Sequence, residues 1–182
     1  MYETLARYYD QIHVSLTADL PFVLKLVEEQ GGAVLELGSG WFSTPLVAAF
    51  ATDRLVQTVE TNPEWYDRIS RLATYQPITR HRHQMLFVPD YDDAPILDHE
   101  WSVVLLDHEP PPRRGHDAQR LRDHCQLMIG HDSEHPDYGY GPVFDTFKYR
   151  FTLSSIVPWT TVVSDTDPLD WLADVLQPQW NA

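Results

Sequence analysis

Apolar residues recur along the chain at two spacings, and the alternation between those spacings predicts its elements. Thr17–Gln30 (TADLPFVLKLVEEQ) carries its apolar side chains at helical intervals, with Thr17 as a candidate N-cap and Gly31-Gly32 as a stop. Ala33–Leu37 is short and apolar, as a strand would be. Ser43–Phe50 returns to helical spacing, its Pro45 tolerated in a first turn. Arg54–Val59 predicts a second strand, Pro63–Thr74 a helix, and His83–Val88 a third strand ending at Pro89. Trp101–Leu106 (WSVVLL) is almost continuously apolar, the pattern of a strand covered on both faces. A short helix over Asp117–His124 and a fifth strand over Gln126–Gly130 follow. Gly139–Gly141 breaks the chain. Two late strands, Tyr149–Ile156 and Thr160–Ser164, flank Val157-Pro158-Trp159, and Pro168–Leu176 predicts a terminal helix.

Alternating strands and helices with apolar strands imply an α/β sandwich around a mostly parallel sheet. A chain of 182 residues, 43% hydrophobic, suits one domain over 1–182. Its expected parts are an N-terminal helical segment (1–30), a binding core with a catalytic edge (31–165), and a C-terminal helix or tail (166–182). In such sheets ligands bind beyond the carboxyl ends of the strands, so candidate chemistry is sought there.

Charge narrows the partner. Asp and Glu number 27 against 13 Lys and Arg, a net charge of -14. A polyanion would be repelled, and the dense basic clusters Arg80–His83 and Arg113–Arg114 are too short to make a nucleic-acid groove. A small-molecule partner is expected, and a cationic ligand would be welcome. No apolar run approaches a membrane span, which argues against a membrane partner. The start, MYETLARYYD, has neither the basic nor the apolar region of an export signal, and Cys125 is the lone cysteine. A cytoplasmic location is the expectation.

The stretch Val34–Thr44 reads VLELGSGWFST. Gly38 and Gly40 lie between a strand and a helix, where missing side chains let backbone approach a ligand and the helix start offers N–H groups. Glu36 stands at the strand end, where a pyrophosphate would gain nothing from a negative charge but an ammonium would. Glu60 ends the second strand, at the distance from which an acid binds ribose hydroxyls. Ser43 stands where a dinucleotide fingerprint has its third glycine. Ammonium, ribose and no pyrophosphate together describe S-adenosylmethionine. ELGSG and ETNPEW resemble the first two motifs of the class I S-adenosylmethionine-dependent methyltransferases, over about Ala33 to Ser164.

That resemblance implies a Rossmann-like sandwich with a mostly parallel central sheet and a late antiparallel strand. It places the cofactor against Glu36, Gly38, Ser39, Gly40, Phe42, Ser43, Glu60, Asn62 and Asp107, with Asp90 and Tyr91 near the adenine. LLDHEPPPRRG after the fourth strand and MIGHDSEHPDYGY after the fifth are similar to a subgroup of small-molecule O-methyltransferases with an HD motif after strand five. In metal-dependent relatives acids after these strands hold Mg²⁺ beside the acceptor; here they would be Asp107 and Asp132. A metal-free alternative makes His108 or His131 the general base, oriented by Asp107 or Asp132. Arg113 and Arg114 would clamp an acidic acceptor from a stiff proline loop, form a solvated face, or supply the counter-charge between Asp107 and Asp132 as the rival to a metal. His135, Tyr138 and Tyr140 would shape the acceptor pocket or pack the loop.

The function expected is methyl transfer to a small-molecule acceptor, a hydroxyl oxygen by this resemblance. The alternatives are protein or nucleic-acid methylation, aminopropyl transfer, and a non-catalytic module that binds the nucleoside. Base-amino methylation is disfavoured because the prolines after Asp107 are displaced and the aromatic is missing. The acceptor face would be open, or completed by a second copy of the chain as a homodimer.

Overall fold

A computed structural model describes residues 19–51, 53–74 and 83–175. The strands are β1 (Val34–Leu37), β2 (Val56–Glu60), β3 (His83–Phe87), β4 (Trp101–Leu106), β5 (Cys125–Gly130), β6 (Tyr149–Leu153) and β7 (Thr160–Ser164). The helices are α1 (Leu20–Gln30), α2 (Ser43–Phe50), α3 (Pro63–Thr74), α4 (Pro111–Leu121), α5 (Tyr140–Phe144) and α6 (Leu172–Val175). The strands form one sheet in the order β3-β2-β1-β4-β5-β7-β6, with β7 antiparallel to both its neighbours and the rest parallel. This is the Rossmann-like α/β sandwich that was expected, mostly parallel with a late antiparallel strand, and the order reverses between β1 and β4, where an open sheet leaves a crevice.

Strand alternation divides the core in two. Val34, Val103, Leu105, Leu127 and Ile129 pack with α1 and α2 on one face. Leu35, Leu37, Val104, Leu106 and Met128 pack with α4 and α5 on the other. Successive side chains of a strand point to opposite faces, so the same parity continues into the residues just past each strand end.

Three predicted boundaries move. The candidate cap Thr17 lies outside the described residues, and α1 begins after Asp19, with Pro21 in its first turn. Proline is also the reason the fourth helix starts earlier than Asp117. Pro111 and Pro112 occupy its first two positions, where a missing N–H leaves nothing unsatisfied, so the expected stiff loop is a helix start. The residues after Gly139, read only as a break, form α5.

Candidate active site

The turn after β1 is pressed against the end of β4. Gly38 has φ +86°, and a Cβ there would lie 2.4 Å from the Asp107 carbonyl oxygen, so both its backbone and its surroundings require glycine. Glu36, on the α1–α2 face, is 0% exposed. Its Oε2 accepts from the hydroxyls of Thr44 (2.7 Å) and Thr58 (2.8 Å), whereas its Oε1 is buried without a hydrogen-bond partner. Burial pushes this carboxyl up to about 7, against the hydrogen bonds from Ser43, Thr44 and Thr58 that pull it down. A buried carboxylate oxygen with nothing to accept is suited to an incoming cationic donor.

Glu60 ends β2 with all its near lone pairs in use. Oε2 accepts from the Ser39 backbone N–H (3.0 Å) and hydroxyl (2.7 Å), and Oε1 from the N–H groups of Thr61 (2.9 Å) and Asn62 (2.8 Å). Asn62 caps α3, its Oδ1 accepting from the N–H groups of Glu64 and Trp65. Asp90 accepts the Asp92 N–H, and Tyr91 is buried with its ring 4.5 Å from that of His108. Gly40, Trp41, Phe42 and Ser43 line a cavity that continues to Asp107 and His131. Its floor includes Asp19, which the sequence reading missed.

Parity separates the two residues after β4. Asp107 continues the side of Val103 and Leu105 and opens into that cavity, 34% exposed on its side chain. His108 continues the side of Val104 and Leu106 and is buried beneath α4, Nε2 3.0 Å from Asp117 Oδ2. Burial lowers its pKa, which Asp117 only partly opposes, so the ring is neutral. Asp117 also accepts from Arg113 Nε (2.7 Å) and Arg120 Nη1 (2.7 Å). The expectation of His108 as general base is therefore corrected: it lies on the wrong face of the sheet. Arg113, expected at the acceptor or in solvent, is instead bound to Asp90 (3.2 Å), Asp92 (2.6 Å) and Asp117.

His131 follows β5 with the parity of Leu127 and Ile129 and faces the cavity. Its Nδ1 is 3.3 Å from Asp107 Oδ1 and 3.3 Å from Asp132 Oδ2, and its Nε2 is 3.5 Å from Asp19 Oδ2. Burial alone would lower its pKa, but these carboxylates outweigh it and push it up to about 11. His131 is therefore an imidazolium near neutral pH and not a general base. Asp132 departs from the strand with φ +55°, a left-handed conformation that aspartate adopts more readily than most residues. The turn brings its carboxylate back towards Asp107. Burial raises the Asp132 pKa, but His131 and Arg114 overcome this and hold it down at about 2. His135 is exposed, and Tyr138 lies under the Arg114 guanidinium, 4.1 Å from it. Tyr140 is buried and donates to the Leu106 carbonyl (3.0 Å), so it packs the loop.

Asp107, His131 and Asp132 bring possible ligand atoms within 4.8 Å of one another. The set nonetheless does not fit Mg²⁺, a hard ion that needs oxygen ligands in octahedral array. Arg114, 3% exposed on its side chain, reaches Asp107 Oδ1 (3.0 Å) and Asp132 Oδ2 (3.3 Å). The expected metal ligands are already joined by an arginine.

Compared by sequence, the chain matches no protein-family model and no curated protein. Its fold is similar to solved structures. An O-methyltransferase from Bacillus cereus, in complex with S-adenosylhomocysteine, superposes with a TM-score of 0.66 at 16% identity, covering 90% of this chain and 100% of that one. A human methyltransferase 10 domain-containing protein gives 0.60 at 10% identity, with 82% of each chain covered. An RNA methyltransferase from Salinibacter ruber, in complex with S-adenosylhomocysteine, gives 0.54 at 14% identity, covering 79% and 90%. These likenesses establish the fold. No described helix is long and apolar enough to cross a membrane.

Proposed function

We propose that the chain binds S-adenosylmethionine over the carboxyl ends of β1 and β2 and catalyses methyl transfer to a hydroxyl of a small molecule seated beside Asp107. The observation that carries this reading is the unpartnered Oε1 of Glu36 behind the Gly38–Gly40 turn, at the crevice of this fold. The cofactor would supply an activated methyl on a sulfonium. Glu36 would receive its ammonium, and Glu60 its ribose hydroxyls once the Ser39 hydroxyl turns aside. The cavity walled by Gly40, Trp41, Phe42 and Ser43 would hold the methionine end.

Both cationic contacts of Asp107 fall on Oδ1, and Oδ2 is the atom offered to an acceptor. An acceptor hydroxyl would donate to Oδ2, which aligns its oxygen with the methyl carbon. As the carbon–oxygen bond forms and the carbon–sulfur bond breaks, the hydroxyl proton passes to Asp107 and the sulfonium becomes a neutral thioether. The charge of -14 supports a small molecule over RNA, even though one structural neighbour is an RNA methyltransferase.

Thermal denaturation tests the reading directly. S-adenosylmethionine and S-adenosylhomocysteine are expected to raise the melting temperature by mass action, and NAD is not. A shift with NAD alone would remove the basis for the proposal. Once an acceptor is found among small phenols, sugars and acids, Asp107→Asn is expected to lower turnover while leaving the melting shift with S-adenosylhomocysteine in place.

A further inference from the structure

Arg114 and His131 touch the same two oxygen atoms. Asp107 Oδ1 is 3.0 Å from the guanidinium and 3.3 Å from the imidazole; Asp132 Oδ2 is 3.3 Å from each. The guanidinium and the imidazole thus both lie against the two carboxylate oxygens, and the guanidinium brings a permanent positive charge between them. The arrangement is built in. Arg114 Nε donates to the His108 carbonyl (2.7 Å) and Nη1 to the His131 carbonyl (3.1 Å), while Tyr138 covers one face of the guanidinium. His131 is held on its far side by Asp19, which is itself buried and accepts from Thr160.

The helix that delivers Arg114 is fixed as closely. A Cβ at Gly115 would lie 2.3 Å from the Gly139 carbonyl oxygen, so only glycine lets α4 approach the loop that carries Tyr138 this closely. An arginine so placed cannot swing aside for an ion without breaking four polar contacts and a ring contact. Left alone, two carboxylates this close would repel, and one would protonate. Guanidinium satisfies them permanently, because it does not lose its proton in proteins.

We propose that Arg114 is a built-in substitute for a divalent metal ion at the acceptor edge, the positioning residue that joins Asp107 to Asp132 and keeps Asp107 aimed without metal. The proposal rests on the reading of the Asp107 edge as the acceptor side. Arg114 occupies the two carboxylate oxygens that a metal would need, so the acceptor oxygen meets Asp107 Oδ2 and not a metal. The bond changes are those already given, with the acceptor proton again passing to Asp107.

The test is Mn²⁺ binding to the full chain, followed by electron paramagnetic resonance, which needs neither cofactor nor acceptor. The wild-type chain is expected to leave the free Mn²⁺ signal undiminished at millimolar metal, and EDTA to leave its melting temperature unchanged. Arg114→Gln removes the charge and exposes the carboxylates, and is expected to bind Mn²⁺ at least about tenfold more tightly than wild type, as paired oxygen ligands would. Arg114→Lys, which keeps a cation there, is expected to exclude the metal. Wild-type binding that disappears in Asp107→Asn would overturn the proposal, as would an Arg114→Gln chain that folds and gains no affinity. If Arg114→Gln does not fold, the wild-type and Asp107→Asn titrations decide. A chain that fails to bind S-adenosylmethionine yet passes these titrations would refute the proposed function and leave the arginine substitute standing.

Discussion

His108 and His131 follow neighbouring strands, each beside an aspartate in sequence and each largely shut away from water, yet they hold opposite charge states. His108 has one carboxylate, Asp117, and shares it with Arg113 and Arg120. His131 stands among three, Asp19, Asp107 and Asp132, and among the described residues Arg114 is the cation that competes for them. Burial penalises the charged form of both rings. What separates them is the number of carboxylates: three outweigh burial at His131, whereas the single Asp117 does not at His108, where the nearby arginines add a little to the effect of burial. The pattern "histidine next to aspartate" therefore carries no chemistry until the facing elements are known.

The largest expected effect is at the neutral histidine's partner. Asp117 is wholly buried between two arginines and His108, so Asp117→Asn removes the one buried carboxylate they share and leaves the arginines with the exposed Asp90 and Asp92. A stability loss of about 3–5 kcal/mol is expected in urea unfolding. Asp132→Asn, half-buried in a cluster that still contains Asp19 and Asp107, should cost less. Equal losses would break the comparison.

The slope of stability with pH is the next contrast. The native pKa of His131, about 11, lies above the ordinary 6.5. The native state thus holds the extra proton, and the stability this brings is complete below pH 6.5 and fades as pH rises through about 11. Its slope is at most about 1.4 kcal/mol per pH unit. His131→Gln should flatten unfolding curves across that window, whereas His108→Gln should not. Asp132 acts in the opposite direction, its contribution present above pH 3.8 and lost as pH falls through about 2. If His108→Gln flattens the alkaline window as strongly, the two charge states have been assigned to the wrong rings.

The smallest effect sharpens the contrast with a third buried group. Glu36, raised by burial to about 7, is half protonated at neutral pH. An ammonium at its Oε1 favours the ionised form, so binding of S-adenosylhomocysteine at pH 7 should release about half a proton. Calorimetry in buffers of different ionisation enthalpy measures that release. A heat independent of buffer would place the ammonium elsewhere.

Much of the frame was legible in the sequence. WSVVLL and Pro63–Thr74 match β4 and α3 residue for residue, because a continuous apolar run and a proline at a helix start are local signals. The Gly38 turn and both glutamates also fall at the predicted strand ends. The edge formed by Asp107 and His131 was less legible. The side of the sheet taken by Asp107 and His131, and the opposite side taken by His108, follow from the two-residue period of WSVVLL and QLMIG continued past the strand ends. That signal was in the sequence and was not used. Asp19 had no such signal, because what brings it to His131 is the packing of α1 over β4 and β5. Arg114 is the counter-charge to Asp107 and Asp132 that the sequence offered as the rival to a metal, but a local reading of three prolines as a loop concealed the helix that carries it and Arg113.

Those two arginines are consecutive on α4, yet Arg113 grips the Asp90–Asp92 turn after β3, and Arg114 grips the ends of β4 and β5. One helix thus acts as a caliper whose jaws close on both ends of the crevice. The span available to a bound molecule is set by rigid backbone and by how closely Gly115 rests on Gly139, not by the reach of flexible side chains. That fixed gauge sets the distance between the turn after β3 and the ends of β4 and β5.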